Sequence, residues 1–367
     1  MPPDTLTTRQ LNRATLARQM LLQRSDRGIV ESVEFLGGLQ AQQSNDPYIG
    51  LWTRLNGFAP ERLTALIVDK LLLRATTMRG TLHLHTAEDM VGFRALVQGF
   101  LDGQWKSNFL RRFGNEDPKA VLRAAIRLLD QEPQTAGALQ KKLKEKFPTA
   151  EPLALTTLLQ ASETLIQIPP TRLWGNGSAP VLQRIEKYLP DVPRPALSRK
   201  KLVRRYLAAF GPASVRDMQI WCRLTKLSGE VEAIKDELVV FEDEAGRTLY
   251  DLADAPRPDE DVPAPVRFLP LYDNVYLGYD DRRRMLSAAT AHLINMFQVF
   301  KPAVLIDGTV NAGWVVEKKG GAARLEIETY RKLSKRETVE LETEGIAFLK
   351  FMEPEAKSWD VTFISRM

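Results

Sequence analysis

Apolar positions recur every three or four residues over most of the chain and every second residue over short stretches, and the two periods alternate in a repeated order. First, Leu11, Leu16, Met20 and Leu21 mark a basic helix over 8–22, and residues 28–39 a second. Tyr48, Leu51, Trp52 and Leu55 mark a third, with Asp46-Pro47 as its N-cap and first turn and Asn56-Gly57 as its stop; 61–70 forms a short fourth. The period then changes. Leu82 and Leu84 face one way and Thr81, His83 and His85 the other, which predicts a β-hairpin bending at 77–80.

The same order returns twice. Helices over 118–130, 135–147 and 152–163 precede strands at 165–168 and 172–174, with Gly175-Asn-Gly177 as turn chemistry; helices over 198–210, 214–221 and 228–235 precede strands at 238–242 and 248–252. Three short helices and a two-stranded wing describe a winged-helix module, so the pattern predicts three in tandem. Beyond them, strands near 266–272, 275–277, 303–306, 314–316 and 325–327 and a helix over 335–350 predict a smaller mixed α/β unit. Proline-rich joints at 190–195 and 255–265 punctuate the chain. The divisions are 1–115, 116–192, 193–262 and 263–367, and the fold class is mainly α with β-wings (α+β).

One polar turn breaks the pattern. Ile29, Val33, Leu36 and Gln40 fall at helical spacing, so Gln40 occupies a place on the buried face where another leucine is expected, and a buried amide needs partners. Gln40 and Gln42 lie two apart, which separates them on a helix but puts them on one side of an extended segment. If the helix frays at Gly37-Gly38, both amides can converge on one point.

Composition narrows the class without choosing within it. A length of 367 residues suits several small units rather than one core. The net charge of +5 and pI near 9.2 permit nucleic-acid binding without demanding it. A single cysteine, Cys222, excludes an intrachain disulfide and a multi-cysteine zinc site. No apolar run is long enough to span a bilayer and the N-terminus is polar, so a cytoplasmic protein, at the nucleoid if bacterial, is expected, with no membrane partner.

The residues Leu11-Asn-Arg-Ala-Thr-Leu-Ala-Arg-Gln19, Gly38-Leu-Gln-Ala-Gln42, Arg79-Gly-Thr-Leu-His-Leu84, Leu269-Pro-Leu-Tyr-Asp-Asn-Val-Tyr-Leu-Gly-Tyr279 and Lys301-Pro-Ala-Val-Leu-Ile-Asp-Gly308 resemble the winged-helix DNA glycosylase family typified by AlkZ and its relative YcaQ. The resemblance spans nearly the whole chain. It implies tandem winged helices curved around double-stranded DNA, and removal of alkylated bases, including bulky or crosslinking adducts. The family's catalytic glutamine pair, which is Gln/Asp in the YcaQ branch, falls here on Gln40 and Gln42.

Two neutral amides suit one chemistry in particular. An N7-alkylated purine already carries positive charge and departs as a neutral base, so the difficult half of the reaction is the oxocarbenium-like sugar and the water that captures it. Amide oxygens can position that water without acting as a strong base. Gln42 is assigned to the water and Gln40 to orienting it or the sugar, with Asp46 as a supporting negative charge. No lysine stands in the motif, so a lyase step has no evident nucleophile. The bland alternative is that both glutamines only tie a turn to the backbone.

The remaining candidates are DNA-binding groups. Arg79 at the hairpin bend, with Thr81 and His83 beside it, can reach phosphate or minor groove; an ordinary solvated turn is the alternative. Arg282, Arg283 and Arg284 can present three cations to the backbone, against local pairing with Asp280 and Asp281. His83 and His85 share a strand face, but with only His292 elsewhere a metal is not expected, nor is a cofactor. Cys222 beside Trp221 reads as core. The function expected is a monomeric, monofunctional glycosylase acting on N7-alkylguanine-type lesions; the alternative is a non-catalytic winged-helix regulator or lesion sensor.

Overall fold

The computed structural model describes residues 4–193, 196–286, 290 and 301–365, so His292 and part of the first proline-rich joint lie outside the described residues. A short strand, β1 (Asp4–Leu6), leads into α1 (Thr8–Arg18), whose start is a capping box between Thr7 and Gln10. Helix α2 (Ile29–Phe35) ends sooner than the apolar spacing predicts. Gly37 and Gly38 take φ of +67° and +91°, and their N–H groups donate back to the Glu34 and Val33 carbonyls at 3.0 and 2.9 Å. That is a Schellman ending. It throws residues 39–40 into a strand, β2 (Leu39–Gln40), so Gln40 does not continue the helix face; the extended alternative is the one adopted.

Helices α3 (Asp46–Trp52) and α4 (Pro60–Val68) and the hairpin β3 (Leu72–Thr76) and β4 (Leu82–Thr86) complete this part, with sheet order β2-β4-β3. Next comes α5 (Ala87–Phe109), a helix of 23 residues. Its buried Phe93, Val97, Leu101 and Trp105 recur every four residues and form one seam of the largest core. Helices α6 (Pro118–Gln131), α7 (Ala136–Lys146) and α8 (Pro152–Ser162) supply buried residues to the same core. They surround β5 (Gln134–Thr135), β6 (Leu165–Ile168) and β7 (Val181–Arg184), in the order β5-β7-β6.

The strand expected at 172–174 is not there, since the partner of β6 is β7. Leu173 and Trp174 instead leave the sheet and pack elsewhere, the Trp174 ring lying 5.1 Å from Tyr48 and 4.9 Å from Phe351. After α9 (Ile185–Tyr188), helices α10 (Arg199–Phe210), α11 (Val215–Cys222) and α12 (Ser228–Glu232) precede β8 (Leu238–Asp243) and β9 (Thr248–Leu252). Strand β1 joins this sheet from the other end of the chain, parallel to β8 with Asp4 opposite Phe241.

The last part is a five-stranded sheet, β10 (Arg267–Phe268), β11 (Ala303–Ile306), β12 (Thr309–Lys319), β13 (Ala322–Thr329) and β14 (Ser358–Ser365), antiparallel except for the parallel β13–β14 pair. Residues 275–277, expected as a strand, belong to a helical turn, α13 (Asn274–Leu277), because the Asp273 carboxylate accepts the Val275 N–H at 2.9 Å and starts a helix there. Helix α14 (Lys335–Met352) buries Leu341, Phe348 and Leu349 on the sheet, and Phe348 stacks 4.9 Å from Phe268. The architecture as a whole is mixed α/β. No helix among the described residues is long and apolar enough to cross a membrane.

Buried ion pairs tie these parts together across long sequence separations. Arg18 on α1 meets Asp251 on β9 through two bonds of 2.6 and 2.7 Å, both side chains having no solvent exposure, and Arg257 shares the same carboxylate. Arg54, just beyond α3, meets Asp273 through two bonds of 2.8 Å. Removing one member strands a buried charge. Asp251→Ala is expected to cost about 3–5 kcal/mol of unfolding free energy, whereas Arg18→Met combined with Asp251→Leu costs much less. Urea unfolding of both variants checks this; equal losses would place the stability in side-chain volume rather than charge.

Candidate active site

The glutamine turn is built as the edge of a sheet. Strand β2 lies antiparallel to β4, with Leu39 opposite Leu84 and Gln40 opposite His83, and the Ala41 N–H continues the ladder to the Leu82 carbonyl at 2.8 Å. The close approach depends on Gly37 and Gly38. A Cβ on Gly38 would stand 2.3 Å from the His85 ring, and one on Gly37 2.7 Å from the Trp221 ring. Both residues also hold positive φ, so any side chain is excluded twice over.

Gln40 is only 8% exposed, and its Oε1 accepts from Arg79 Nη2 at 2.8 Å. Arg79 sits at the hairpin bend in the left-handed region, φ +58°, and folds back instead of projecting into solvent. Its Nη1 donates to the Trp221 carbonyl at 2.8 Å. Nη2 is shared among Gln40, the Asn274 Oδ1 at 2.8 Å and the His83 Nε2 at 3.0 Å. The Asn274 amide donates in turn to the Gly38 carbonyl at 3.3 Å. Three remote stretches of chain and the hairpin itself therefore meet on one guanidinium. Among the described residues none of its hydrogen-bond partners is a carboxylate, and burial, followed by the nearby charge of Arg223, pushes it down to about 10.

His83 has no choice of tautomer in this arrangement. Its Nδ1 lies 3.0 Å from the Thr81 carbonyl, which only accepts, so Nδ1 carries the proton and Nε2 receives Arg79. Burial, then Arg79 and His85, hold its pKa well below the ordinary histidine value, so the ring is neutral. His85 is likewise buried, pushed down to about 4, and is bonded to Thr77 at 3.0 Å.

Gln42 differs from its partner. It is exposed, and among the described residues its side chain has one bond, from the Leu82 N–H at 3.5 Å, long enough to be weak. The two amides thus do not share a partner: one is clamped inside and the other is open to solvent. The polar residues that follow tie the turn to the loop after β6. Ser44 Oγ donates to the Asn176 carbonyl at 3.0 Å, and the Asn45 side chain accepts the Gly175 N–H at 3.1 Å. Arg74 holds the Ser44 carbonyl from beneath.

Asp46 is buried and accepts the Gln43 N–H at 3.0 Å. It lines, with Gln40 and Asn274, a cavity of about 10 Å³, roughly the room one water needs. Burial pushes its carboxyl up to about 6, against the pull of the Gln43 amide and Arg74.

Of the other sequence candidates, Thr81 is half-buried and bonded to the Met78 carbonyl, and His83 is fully enclosed. The three arginines after Asp281 diverge. Arg284 is buried over the Tyr279 ring and bonded to the Pro212 carbonyl, Arg282 is half-buried, and only Arg283 is exposed, paired with Asp281 at 2.7 Å. A uniform three-cation face is therefore absent from these described residues. Sequence reasoning missed Asn274 and Trp221 as site residues; the Asp273-Asn274 cap preceding Val275-Tyr276 was the available signal for Asn274.

A family model described as "DNA glycosylase AlkZ-like" matches residues 33–351. A solved structure, the DNA glycosylase AlkZ of Streptomyces sahachiroi, superposes with a TM-score of 0.71 at 19% identity, covering 98% of this chain and 100% of that one. No curated protein sequence gives a match.

The Asp46 carboxyl makes a pH prediction. Its folded pKa lies above its ordinary value, so between about pH 4 and 6 the folded chain keeps a proton that the unfolded chain has lost, and stability falls as pH rises through that window. Asp46→Asn keeps the acceptor for Gln43 without the charge. Its unfolding free energy, from urea titration, should match the wild type near pH 4 and exceed it above pH 6, by up to about 3 kcal/mol. A gap that stays constant from pH 4 to 7 would mean that Asp46 titrates normally.

Proposed function

The chain belongs to the AlkZ-like DNA glycosylase family, and from that membership we propose that it hydrolyses the N-glycosidic bond of alkylated purines of the N7-alkylguanine type in double-stranded DNA, acting as a monomer without cofactor or metal. The observation that carries this reading is the asymmetric glutamine pair on the edge of β2: Gln40 clamped by Arg79 and Gln42 open to an incoming substrate. The three units of helices and hairpin act as winged-helix modules that hold the duplex. Exposed Arg283 and half-buried Arg282 and Thr81 face the DNA backbone, Arg79 and His83 support the site from within, and Arg284 braces its own loop against the Pro212 carbonyl.

The reaction asks little of a base. The C1′–N9 bond breaks, its electron pair neutralises the cationic base, and a water oxygen bonds to C1′ while its proton leaves to solvent. An amide oxygen on Gln42 orients that water, and the Asp46 carboxylate, ionised above about pH 6, contributes negative field beside Gln40 as the sugar becomes cationic. With no lysine at the turn, the product is an intact abasic site.

Purified protein incubated with duplex DNA carrying N7-methylguanine should release free base faster than the protein-free control. Gln42→Ala should slow single-turnover release by about ten- to a thousand-fold with unchanged melting, while Gln42→Asp, the pair of the YcaQ branch, keeps activity. Binding without release by the wild type would leave a lesion sensor instead. A Gln42→Ala loss that only tracks lost folded protein would make the pair structural.

A further inference from the structure

The two glutamines are not equivalent, and the difference follows from what a guanidinium can do. Arginine has five N–H donors and no acceptor, so the Gln40 atom 2.8 Å from Arg79 Nη2 must be the amide oxygen. Rotating the amide would set donor against donor. Arg79 itself cannot swing aside, because the Trp221 carbonyl, Asn274 Oδ1 and His83 Nε2 hold it and all three are acceptors. Asn274 is locked in the same sense, since its Nδ2 is spent on the Gly38 carbonyl. Every amide in the circuit therefore has one orientation, and Gln40 is left with its Nε2 hydrogens uncommitted: among the described residues they donate to no protein group.

We propose that Arg79 is a positioning residue that fixes Gln40 as a hydrogen-bond donor toward an acceptor on the departing purine, so that Gln42 alone supplies the acceptor that orients the water. This rests on the glycosylase reading above. A cation bonded to the carbonyl draws electron density from the amide and makes its N–H groups stronger donors. That no carboxylate is among its hydrogen-bond partners in the described residues matters here, because an ion-paired guanidinium would polarise Gln40 less. A donor aimed at the base gains strength as the glycosidic electron pair moves onto the ring, which is where a preorganised dipole lowers the barrier. His83 takes a supporting part: its neutral Nε2, set by the Thr81 carbonyl, is one of the acceptors that hold Arg79 in place.

Replacing each glutamine by glutamate separates donor from acceptor. Glutamate keeps the oxygen and loses the N–H groups, so Gln40→Glu should lower single-turnover release from N7-methylguanine duplex by about a hundred-fold or more, and Gln42→Glu should lose far less. Equal or greater loss in Gln42→Glu, or an active Gln40→Glu, overturns the donor assignment. Thermal melting reads the clamp without any activity. Gln40→Glu should be tolerated beside Arg79 and strongly destabilising in an Arg79→Met background; the same melting shift in both backgrounds overturns the clamp. Arg79→Met should reduce kcat more than it raises KM, with Arg79→Lys recovering part of the loss. If wild-type protein releases no base while the melting coupling holds, the glycosylase reading fails and the Arg79–Gln40 clamp stands.

Discussion

A guanidinium whose acceptors among the described residues are all neutral is the interaction on which the candidate active site depends. Burying a charge is costly unless its hydrogens are received, and Arg79 offsets that cost by placing both Nη atoms on acceptors: Gln40, His83, Asn274 and the Trp221 carbonyl. Each acceptor comes from a different part of the chain. The site therefore exists only once the hairpin, helix α11 and the α13 turn are all in place around β2. That dependence makes the geometry of the glutamine pair a property of the whole assembly.

The glycine pair upstream is the steric counterpart of that electrostatic knot. The Schellman ending at Gly37-Gly38 lets β2 pass close to the His85 and Trp221 rings. Those rings belong to an aromatic run in which His85 stacks 4.8 Å from Phe93 and Trp221 lies 5.2 Å from Tyr206 and 5.5 Å from Phe210. Apolar packing thus seats α11 against the first hairpin, and only then does the Trp221 carbonyl come within reach of Arg79. Ion pairs such as Arg18–Asp251 and Arg54–Asp273 add register to this packing, because a displaced partner leaves a buried charge unmet. The repeated units are consequently not independent beads: α1 is bonded to the third unit and to the loop after β11, and β1 completes a sheet more than two hundred residues away.

Local pattern carried most of the elements, because a period of 3.6 or 2 is a property of neighbouring residues. The helices around 118–162 and 199–210, the hairpin at 72–86 and the strands at 238–252 were legible on that basis, as was the special character of the Gln40–Gln42 turn, where amides stand among apolar residues. The errors share a cause. Trp174 and Leu173 look like strand residues until their packing partners are known, and Val275-Tyr276-Leu277 alternates like a strand until the Asp273 cap winds it.

By itself, then, the sequence determined the repeated order of helices and hairpins, the exclusion of disulfide chemistry and the identity of the glutamine turn, all of which depend on residue type and short-range spacing. Tertiary structure alone decided that Arg79 and Arg284 turn inward while Arg283 stays out, that Gln40 is clamped and Gln42 free, and that Asn274 joins the site. Those outcomes depend on which acceptors lie within about 3 Å of a donor, a quantity set by packing between segments far apart in the chain.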